Sequence, residues 1–174
     1  MTVNGTNYEV IRLLGKGKGG YSYLTEKDGR LAVLKQIHHE PCDYYQFGDK
    51  LQSELRDYAR LQEAGIPIPR MLDVDVEQER ILKEFIDGDT IMDLVKQDRM
   101  DDRYIHQMED MCRKLYSVGL NIDYFPTNFI PQDGVLYYID YECNPYDPKW
   151  DFENWGKAYW SKTPEFLAYL KSNQ

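Results

Sequence analysis

Short runs that alternate apolar and polar residues dominate the first half of the chain. This alternation is the pattern of β-strands, because successive side chains of a strand point to opposite faces of its sheet. The second and third runs are joined at Asp28-Gly29, a dipeptide that favours a tight hairpin turn. We predict five antiparallel strands, at residues 8–14, 24–26, 31–37, 71–76 and 80–86.

Apolar residues at intervals of three and four predict helices between and after these strands. Thr163 is expected to cap the last helix and Pro164 to be its first residue, since both residue types are favoured at these positions. Gly119 is expected to end the helix of residues 101–118. The predicted helices are residues 43–64, 89–96, 101–118 and 165–171.

The length and charge of the chain restrict the class of protein. A chain of 174 residues is sufficient for one domain or two small lobes. The formal net charge of -9 disfavours binding to nucleic acid or to an anionic membrane. No apolar run approaches the ~20 residues of a membrane span, and the N-terminus lacks the pattern of a signal peptide. We predict a cytoplasmic protein, in which Cys42, Cys112 and Cys143 are reduced and structural.

Candidate chemistry begins with a glycine-rich turn between the first two strands. Glycine fills four of the six positions 15–20, namely Gly15, Gly17, Gly19 and Gly20. Glycines let backbone amides approach a phosphate closely, although such a turn can also be merely flexible. Lys35 then ends an apolar strand, and Glu54 follows it by nineteen residues beside the apolar stripe of a predicted helix. Taken singly, each has a simpler interpretation as a surface charge.

A second group of polar residues lies in loops of the C-terminal half. Asp123 precedes Asn128 by five positions, and Asp140 follows Asn128 by twelve, across a hairpin predicted to turn at residues 132–134. Carboxylate and carboxamide oxygens are the ligands that magnesium prefers.

In this order and spacing, the two groups resemble the motifs of the protein-kinase-like superfamily. Residues 139–142 read Ile-Asp-Tyr-Glu, which is similar to the corresponding segment of choline kinases and aminoglycoside phosphotransferases. The segment 82–88 is similar to their hinge, with Lys83 in the gatekeeper position or pointing outward. Small bacterial serine/threonine-kinase-like proteins are also similar. The resemblance implies an α+β fold: an N-terminal lobe, residues 1–86, with a five-stranded antiparallel sheet and one helix, and a reduced helical lobe, residues 87–174.

The resemblance also implies a function and a role for each residue. The protein would be an ATP- and Mg²⁺-dependent phosphotransferase acting on a hydroxyl of a protein or of a small molecule. Asp123 would be the catalytic base, and Asn128 and Asp140 would bind the metal. Asp151 would brace the catalytic loop. The implied nucleotide-binding residues are Gly15, Gly17, Gly19, Gly20, Ala32, Lys35, Glu54, Glu84 and Ile86.

Two alternatives remain open. Asn121-Ile122 stands where kinases have a histidine before the catalytic aspartate, and only 34 residues follow Asp140. A pseudokinase that binds nucleotide or a partner protein is therefore the main alternative. A different nucleotide-binding fold is the weaker one, because the glycine-rich turn lacks a Gly-Lys-Ser/Thr ending and the strands do not alternate with helices.

Overall fold

The computed structural model describes residues 1–41 and 49–174, and it divides them into two compact units. Unit 1 comprises Met1–Arg56 and Pro69–Phe85, and unit 2 comprises Asp57–Ile68 and Ile86–Gln174. The α+β class and the five-stranded antiparallel sheet predicted from the sequence are confirmed. The boundary between lobes at residue 86 stays a prediction.

The sheet of unit 1 has the strand order β3-β4-β5-β7-β6, with every neighbouring pair antiparallel. Positive φ angles of 52° at Asp28 and 76° at Gly29 form the tight turn between β4 and β5. A two-stranded hairpin, β1 and β2, precedes the sheet. The strands are β1 Thr2–Val3, β2 Thr6–Asn7, β3 Glu9–Lys16, β4 Gly20–Lys27, β5 Arg30–Ile37, β6 Met71–Asp75 and β7 Arg80–Glu84.

One face of the sheet forms the small core of unit 1. Ala32 and Leu34 of β5 and Leu82 of β7 pack there with Val3 from the N-terminal hairpin. These positions share a face because residues two apart on a strand point the same way and Leu34 is paired directly with Leu82. The intervening residues of β5 and β7 therefore point to the other face.

Helix α1, Lys50–Ala64, begins later than the sequence predicted. The side chain of Asp49 accepts a hydrogen bond of 3.0 Å from the Gln52 amide, and the Asp49 carbonyl accepts one of 3.0 Å from the Ser53 amide. This is the geometry of an N-cap, which fixes the start of a helix. The prediction of one helix from residue 43 to residue 64 is therefore wrong at residue 49, and residues 43–48 lie outside the described residues.

The helices α2, α3 and α4 of unit 2 begin at polar caps, as the sequence predicted for Thr163. Thr90 caps α2 in a capping box with Asp93, Asp101 caps α3, and Thr163 caps α4 by accepting a bond from the Phe166 amide. The elements of unit 2 beyond α1 are α2 Ile91–Lys96, α3 Asp102–Ser117, β8 Leu120–Asn121, β9 Phe129–Gln132, β10 Val135–Tyr138, β11 Asn144–Pro145 and α4 Pro164–Ser172.

Aromatic side chains fill much of the core of unit 2. Trp160 meets Phe129 and Phe152 edge to face, and Phe152 also contacts Tyr124. All four rings are buried among the helices α2 and α3 and the β9–β10 hairpin. None of the helices in the described ranges has the length and apolar character needed to cross a membrane.

Candidate functional site

The glycine-rich turn of unit 1 closes on itself at the end of β3. The Gly17 amide donates a hydrogen bond of 2.9 Å to the Gly20 carbonyl, and the His38 amide donates one of 3.1 Å to the Gly19 carbonyl. A Cβ at Gly20 would overlap the Gln36 carbonyl oxygen, so only glycine permits this approach of β4 to β5. Gly15 differs, because a Cβ there would meet nothing within 4 Å.

Beneath this turn, Lys35 of β5 and Glu54 of α1 form an ion pair in which both side chains are mostly buried, at 13% and 15% exposure. Both residues were predicted from the sequence to bind nucleotide, and in the structure their side chains are in contact. A Cβ on Gly19 would lie 3.5 Å from Glu54 Oε1 and 3.7 Å from Lys35 Nζ. A Cβ at residue 19 would therefore be in van der Waals contact with both members of the ion pair, so Gly19 lies directly over the pair.

The second oxygen of Glu54, Oε2, is buried and has no hydrogen-bond partner in the described part of the chain. Leaving a buried acceptor without a donor costs on the order of 1–3 kcal/mol. Buried polar groups in proteins usually have partners, and exceptions often mark functional sites. Glu54 Oε2 is thus consistent with a position that a ligand, its water or its metal completes.

The face of the sheet that carries Lys35 does not carry Ala32. Three positions separate the two residues on a strand whose pairing with β7 has no bulge, so their side chains point to opposite faces. Ala32 packs with Val3, Leu34 and Leu82 instead. The structure therefore separates Ala32 from the other predicted nucleotide-binding residues of the sheet. Val33 is the residue that shares the face of Lys35.

The sequence left open whether Lys83 takes the gatekeeper position or points outward, and in the structure it does not point outward. It is paired directly with Val33, so it lies on the same face as Lys35, and it is only 7% exposed. Glu84 ends β7 and donates its amide to the Arg70 carbonyl at 2.9 Å. Ile86, the other predicted hinge residue, belongs to unit 2 and has a buried side chain. The contact of Glu84 and Ile86 with a base stays a prediction.

In unit 2, Asp123, Asn128 and Asp140 come together around one loop. The Asn128 side chain donates a hydrogen bond of 3.3 Å to the Asp123 carbonyl, and Asp123 Oδ1 accepts one of 3.1 Å from the Phe125 amide. The Ile139 amide donates to the Asn128 carbonyl at 2.9 Å, so Asp140 follows directly beside Asn128. The three polar residues predicted from their spacing are thus neighbours.

Tyr138 links the two sides of this loop and was not predicted to have a role. Its hydroxyl accepts a hydrogen bond of 3.4 Å from the Asp123 amide and donates one of 2.9 Å to the Glu142 carbonyl. Burial, together with the negative charges of Asp140 and Glu142, holds the pKa of Tyr138 well above its ordinary value. The hydroxyl is therefore a permanent donor. Alternation along β10 was the only sequence signal that pointed Tyr138 inward.

The catalytic loop predicted from the kinase resemblance is braced by residues other than Asp151. Asp151 accepts hydrogen bonds of 2.8 Å from the Tyr146 hydroxyl and from the Asn154 amide, which hold its own turn. The loop is held from its first residue by Asn121, which donates to the Asp147 carbonyl at 2.9 Å and accepts from the Tyr124 hydroxyl at 3.1 Å. Trp160 adds a hydrogen bond of 2.8 Å to the Tyr124 carbonyl.

Comparison with known proteins supports a superfamily assignment. The chain is 27% identical over 97 residues to the KEOPS complex subunit Bud32 of Pyrococcus abyssi, which is 54% of this chain and 44% of that protein. It is 23% identical over 112 residues to the EKC/KEOPS complex subunit bud32 of Dictyostelium discoideum, which is 62% of this chain and 44% of that protein. The chain covers less than half of the length of each of these relatives.

The five-stranded sheet with its helices and the similarity to the two Bud32 subunits fit the protein-kinase-like superfamily. No model of a known protein family matches the chain. The finer resemblance to choline kinases and aminoglycoside phosphotransferases stays a prediction.

The kinase-like chain offers residues that fit a nucleotide phosphate and a magnesium ion. Lys35, beneath the glycine-rich turn, suits a phosphate, which an ammonium can bind. The described residues contain no cluster of three or more His, Cys, Asp and Glu that would hold a metal. Asn128 and Asp140 provide two oxygen ligands, and magnesium usually takes only one or two from the protein and the rest from phosphate and water.

Proposed function

We propose that this kinase-like protein is a phosphotransferase that uses magnesium and a nucleoside triphosphate, with ATP as the donor that its resemblance predicts. It would transfer the γ-phosphoryl group to a hydroxyl of a protein or of a small molecule. The observation that carries the proposal is the buried ion pair of Lys35 and Glu54 beneath the glycine-rich turn. A buried pair is costly to desolvate, so its presence beside a glycine-rich turn favours a functional role.

Each residue has a role that follows from its chemistry. Lys35 would neutralise the α- and β-phosphates, and Glu54 would hold the ammonium in position, because a buried lysine needs a counter-charge. Val33 replaces Ala32 as the residue of β5 proposed to contact the base, since it shares the face of Lys35. The backbone groups of Glu84 and Ile86 would contact the base, as the resemblance implies.

The loop of unit 2 would supply the metal ligands and the group that aligns the acceptor. Asn128 and Asp140 would hold magnesium, which neutralises charge on the transferring phosphoryl group. Asp123 would accept a hydrogen bond from the acceptor hydroxyl and receive its proton as the new P–O bond forms, while the bond from the γ-phosphorus to the bridging oxygen breaks and the nucleoside diphosphate leaves. The Asp123 backbone is fixed on both sides, by Asn128 at its carbonyl and by Tyr138 at its amide. This support would keep the carboxylate aligned.

The test compares nucleotide binding with turnover. Thermal shift should show stabilisation of the wild-type protein by ATP with magnesium, and this stabilisation should be lost in Lys35→Met. Release or transfer of labelled γ-phosphate should fall at least about a hundredfold in Asp123→Asn, which lacks the base. Asp133→Asn, in the exposed turn between β9 and β10, should behave as wild type. Equal γ-phosphate chemistry in wild type and Asp123→Asn would refute the proposal.

A binding module is the second candidate, and the names of the two relatives favour it. Both relatives are subunits of a multi-protein complex, so this chain can be proposed to act by binding a partner protein. Replacing the chromosomal gene by one that encodes Asp123→Asn distinguishes the two functions. A binding module should retain its cellular function in this variant, whereas an enzyme should lose it. Localisation in the cytoplasm stays part of the proposal.

A further inference from the structure

His38, the residue directly after β5, holds the glycine-rich turn at two points. Its amide donates a hydrogen bond of 3.1 Å to the Gly19 carbonyl. Its ring nitrogen Nε2 lies 2.9 Å from the Gly17 carbonyl oxygen and must be the donor there, because a carbonyl can only accept. The carbonyls on both sides of Lys18 are therefore attached to the end of the strand that carries Lys35.

Lys50 adds a third attachment to the same turn. It is the first residue of α1 and is only 4% exposed. Its ammonium donates a hydrogen bond of 2.5 Å to the His38 carbonyl and a longer one, of 3.4 Å, to the Lys18 carbonyl. His38 and Lys50 thus hold the carbonyls of the three consecutive residues 17–19, and Lys50 acts mainly through its shorter bond to His38.

A buried lysine is unfavourable at the position of Lys50. Lysine is among the residues least often buried, and an ammonium taken out of water must be compensated by hydrogen bonds. The N-terminus of a helix carries a partial positive charge, which favours acidic residues, yet the first turn of α1 contains none and begins with Lys50. Such a departure from the local pattern is expected mainly at functional sites.

Lys50 also lies on the face of α1 that carries Glu54. The two residues are four positions apart, which places their side chains on one face of a helix, about one turn from each other. Glu54 pairs with Lys35, and a Cβ on Gly19 would lie 3.5 Å from Glu54 Oε1. Helix α1 therefore contacts the glycine-rich turn through Lys50 and the proposed phosphate-binding residue Lys35 through Glu54.

Holding the carbonyls of the turn also orients its amides. In a planar trans peptide, the C=O of one residue and the N–H of the next point in opposite directions. Because the carbonyls of residues 17–19 point to His38 and Lys50, the amides of residues 18–20 point away from these two donors. Backbone amides bind a phosphate, whereas carbonyl oxygens repel it.

We infer that Lys50 is a positioning residue, which holds the glycine-rich turn in its phosphate-binding conformation. This inference rests on the proposed function, in which the phosphates of a nucleoside triphosphate bind at Lys35 beneath this turn. Without the ammonium of Lys50, the peptide planes of the turn can rotate and direct their carbonyls towards the phosphates. Removing it should weaken nucleotide binding at least about tenfold, the lower end of what is lost when a residue that orients a metal ligand is replaced.

The experiment measures the dissociation constant of ATP with magnesium by calorimetry, and amide hydrogen exchange in the turn without nucleotide. Methionine and glutamine side chains reach equally far, but only glutamine has N–H donors. Lys50→Met should raise the dissociation constant at least about tenfold and accelerate exchange in residues 17–20, and Lys50→Gln should have smaller effects on both. Arg56→Met, on an exposed residue of α1, controls for the loss of one positive charge and should behave as wild type.

Thr25→Val controls for a general loss of stability. Thr25 belongs to the same unit, has no exposed surface and donates a hydrogen bond of 3.0 Å to the Ala32 carbonyl. The variant therefore removes a buried hydrogen bond of β4 that does not involve the turn. It should lower the unfolding temperature and leave both the affinity for ATP and the exchange in the turn unchanged.

The outcomes separate this inference from the proposed function. If wild type binds ATP and folded Lys50→Met binds it equally well, the inference is wrong while the proposed function stands. Equal losses of affinity in Lys50→Met and Lys50→Gln, or an equal loss in Thr25→Val, also overturn it, because the donor at residue 50 then has no specific effect. If wild type binds no ATP, both the proposed function and the inference fail. Unfolding temperatures show which variants are folded, and if Lys50→Met is not, the comparison of Lys50→Gln with Thr25→Val decides.

Discussion

Replacing Tyr138 by phenylalanine tests whether the loop around Asp123 depends on one buried hydroxyl. The side chain has no exposed surface, and its hydroxyl bonds the Asp123 amide at 3.4 Å and the Glu142 carbonyl at 2.9 Å. The variant keeps the ring and its packing against Phe129, which lies 5.2 Å away between centroids. Only the two hydrogen bonds are lost.

The expected loss of stability follows from these distances. A buried hydrogen bond contributes about 1 kcal/mol net, and a backbone group that loses its partner costs about 1–3 kcal/mol. The 3.4 Å bond is long and contributes little, so we expect a total of about 1–2 kcal/mol, mainly from the Glu142 carbonyl. For a chain of this size, 1 kcal/mol lowers the unfolding temperature by about 2–4 °C. Tyr138→Phe should therefore unfold about 2–8 °C below wild type.

Tryptophan fluorescence is a suitable measurement, because Trp150, Trp155 and Trp160 all belong to unit 2 and report its unfolding. Tyr137→Phe is the matched control. Tyr137 is the neighbouring residue of β10, it is partly exposed, and no hydrogen bond of its hydroxyl is recorded among the described residues. It should change the unfolding temperature by no more than about 1–2 °C. Equal shifts in the two variants would show that the buried hydroxyl contributes nothing.

Two further predictions concern the glycine turn and the cysteines. Gly20→Ala should lower stability by about 1–3 kcal/mol in urea unfolding, because its Cβ would overlap a backbone carbonyl, whereas Gly15→Ala should be close to neutral; similar losses in both would contradict the steric argument. Burial raises the pKa of Cys112 and of Cys143 to about 12, so peptide mapping after iodoacetamide at pH 8 should find both thiols unmodified until the protein is unfolded. Because these folded-state pKa values are raised above about 9, the stability that the two neutral thiols contribute is complete below pH 9 and is lost between pH 9 and 12; stability that rises over this range would contradict the assignment.

Local signals in the sequence determined most of the elements. The positive φ angles at Asp28 and Gly29 and the cap at Thr163 lie where the residue types indicated. Such signals are reliable because a turn or a cap is made by residues close together in the chain. The start of α1 was mispredicted because apolar residues also occur at helical intervals on the N-terminal side of Asp49. The N-cap at Asp49 nevertheless sets the first residue of the helix.

The candidate site was determined in part by spacing. Lys35, Glu54, Asp123, Asn128 and Asp140 were chosen from their order in the chain, and the structure pairs the first two and places the other three around one loop. Spacing is informative for Lys35 and Glu54 because the first lies on a predicted strand and the second on a predicted helix, and these elements restrict where each side chain can point.

Only the tertiary structure decided which side chains are buried and which face of the sheet they share. The burial of Lys83 and the two hydrogen bonds of Tyr138 depend on which segments pack together and in which register. Pairing joins segments that are far apart in the chain, as when β5 meets β7 across more than forty residues. Local propensity carries no information about such contacts, because they are selected by the packing of the whole unit.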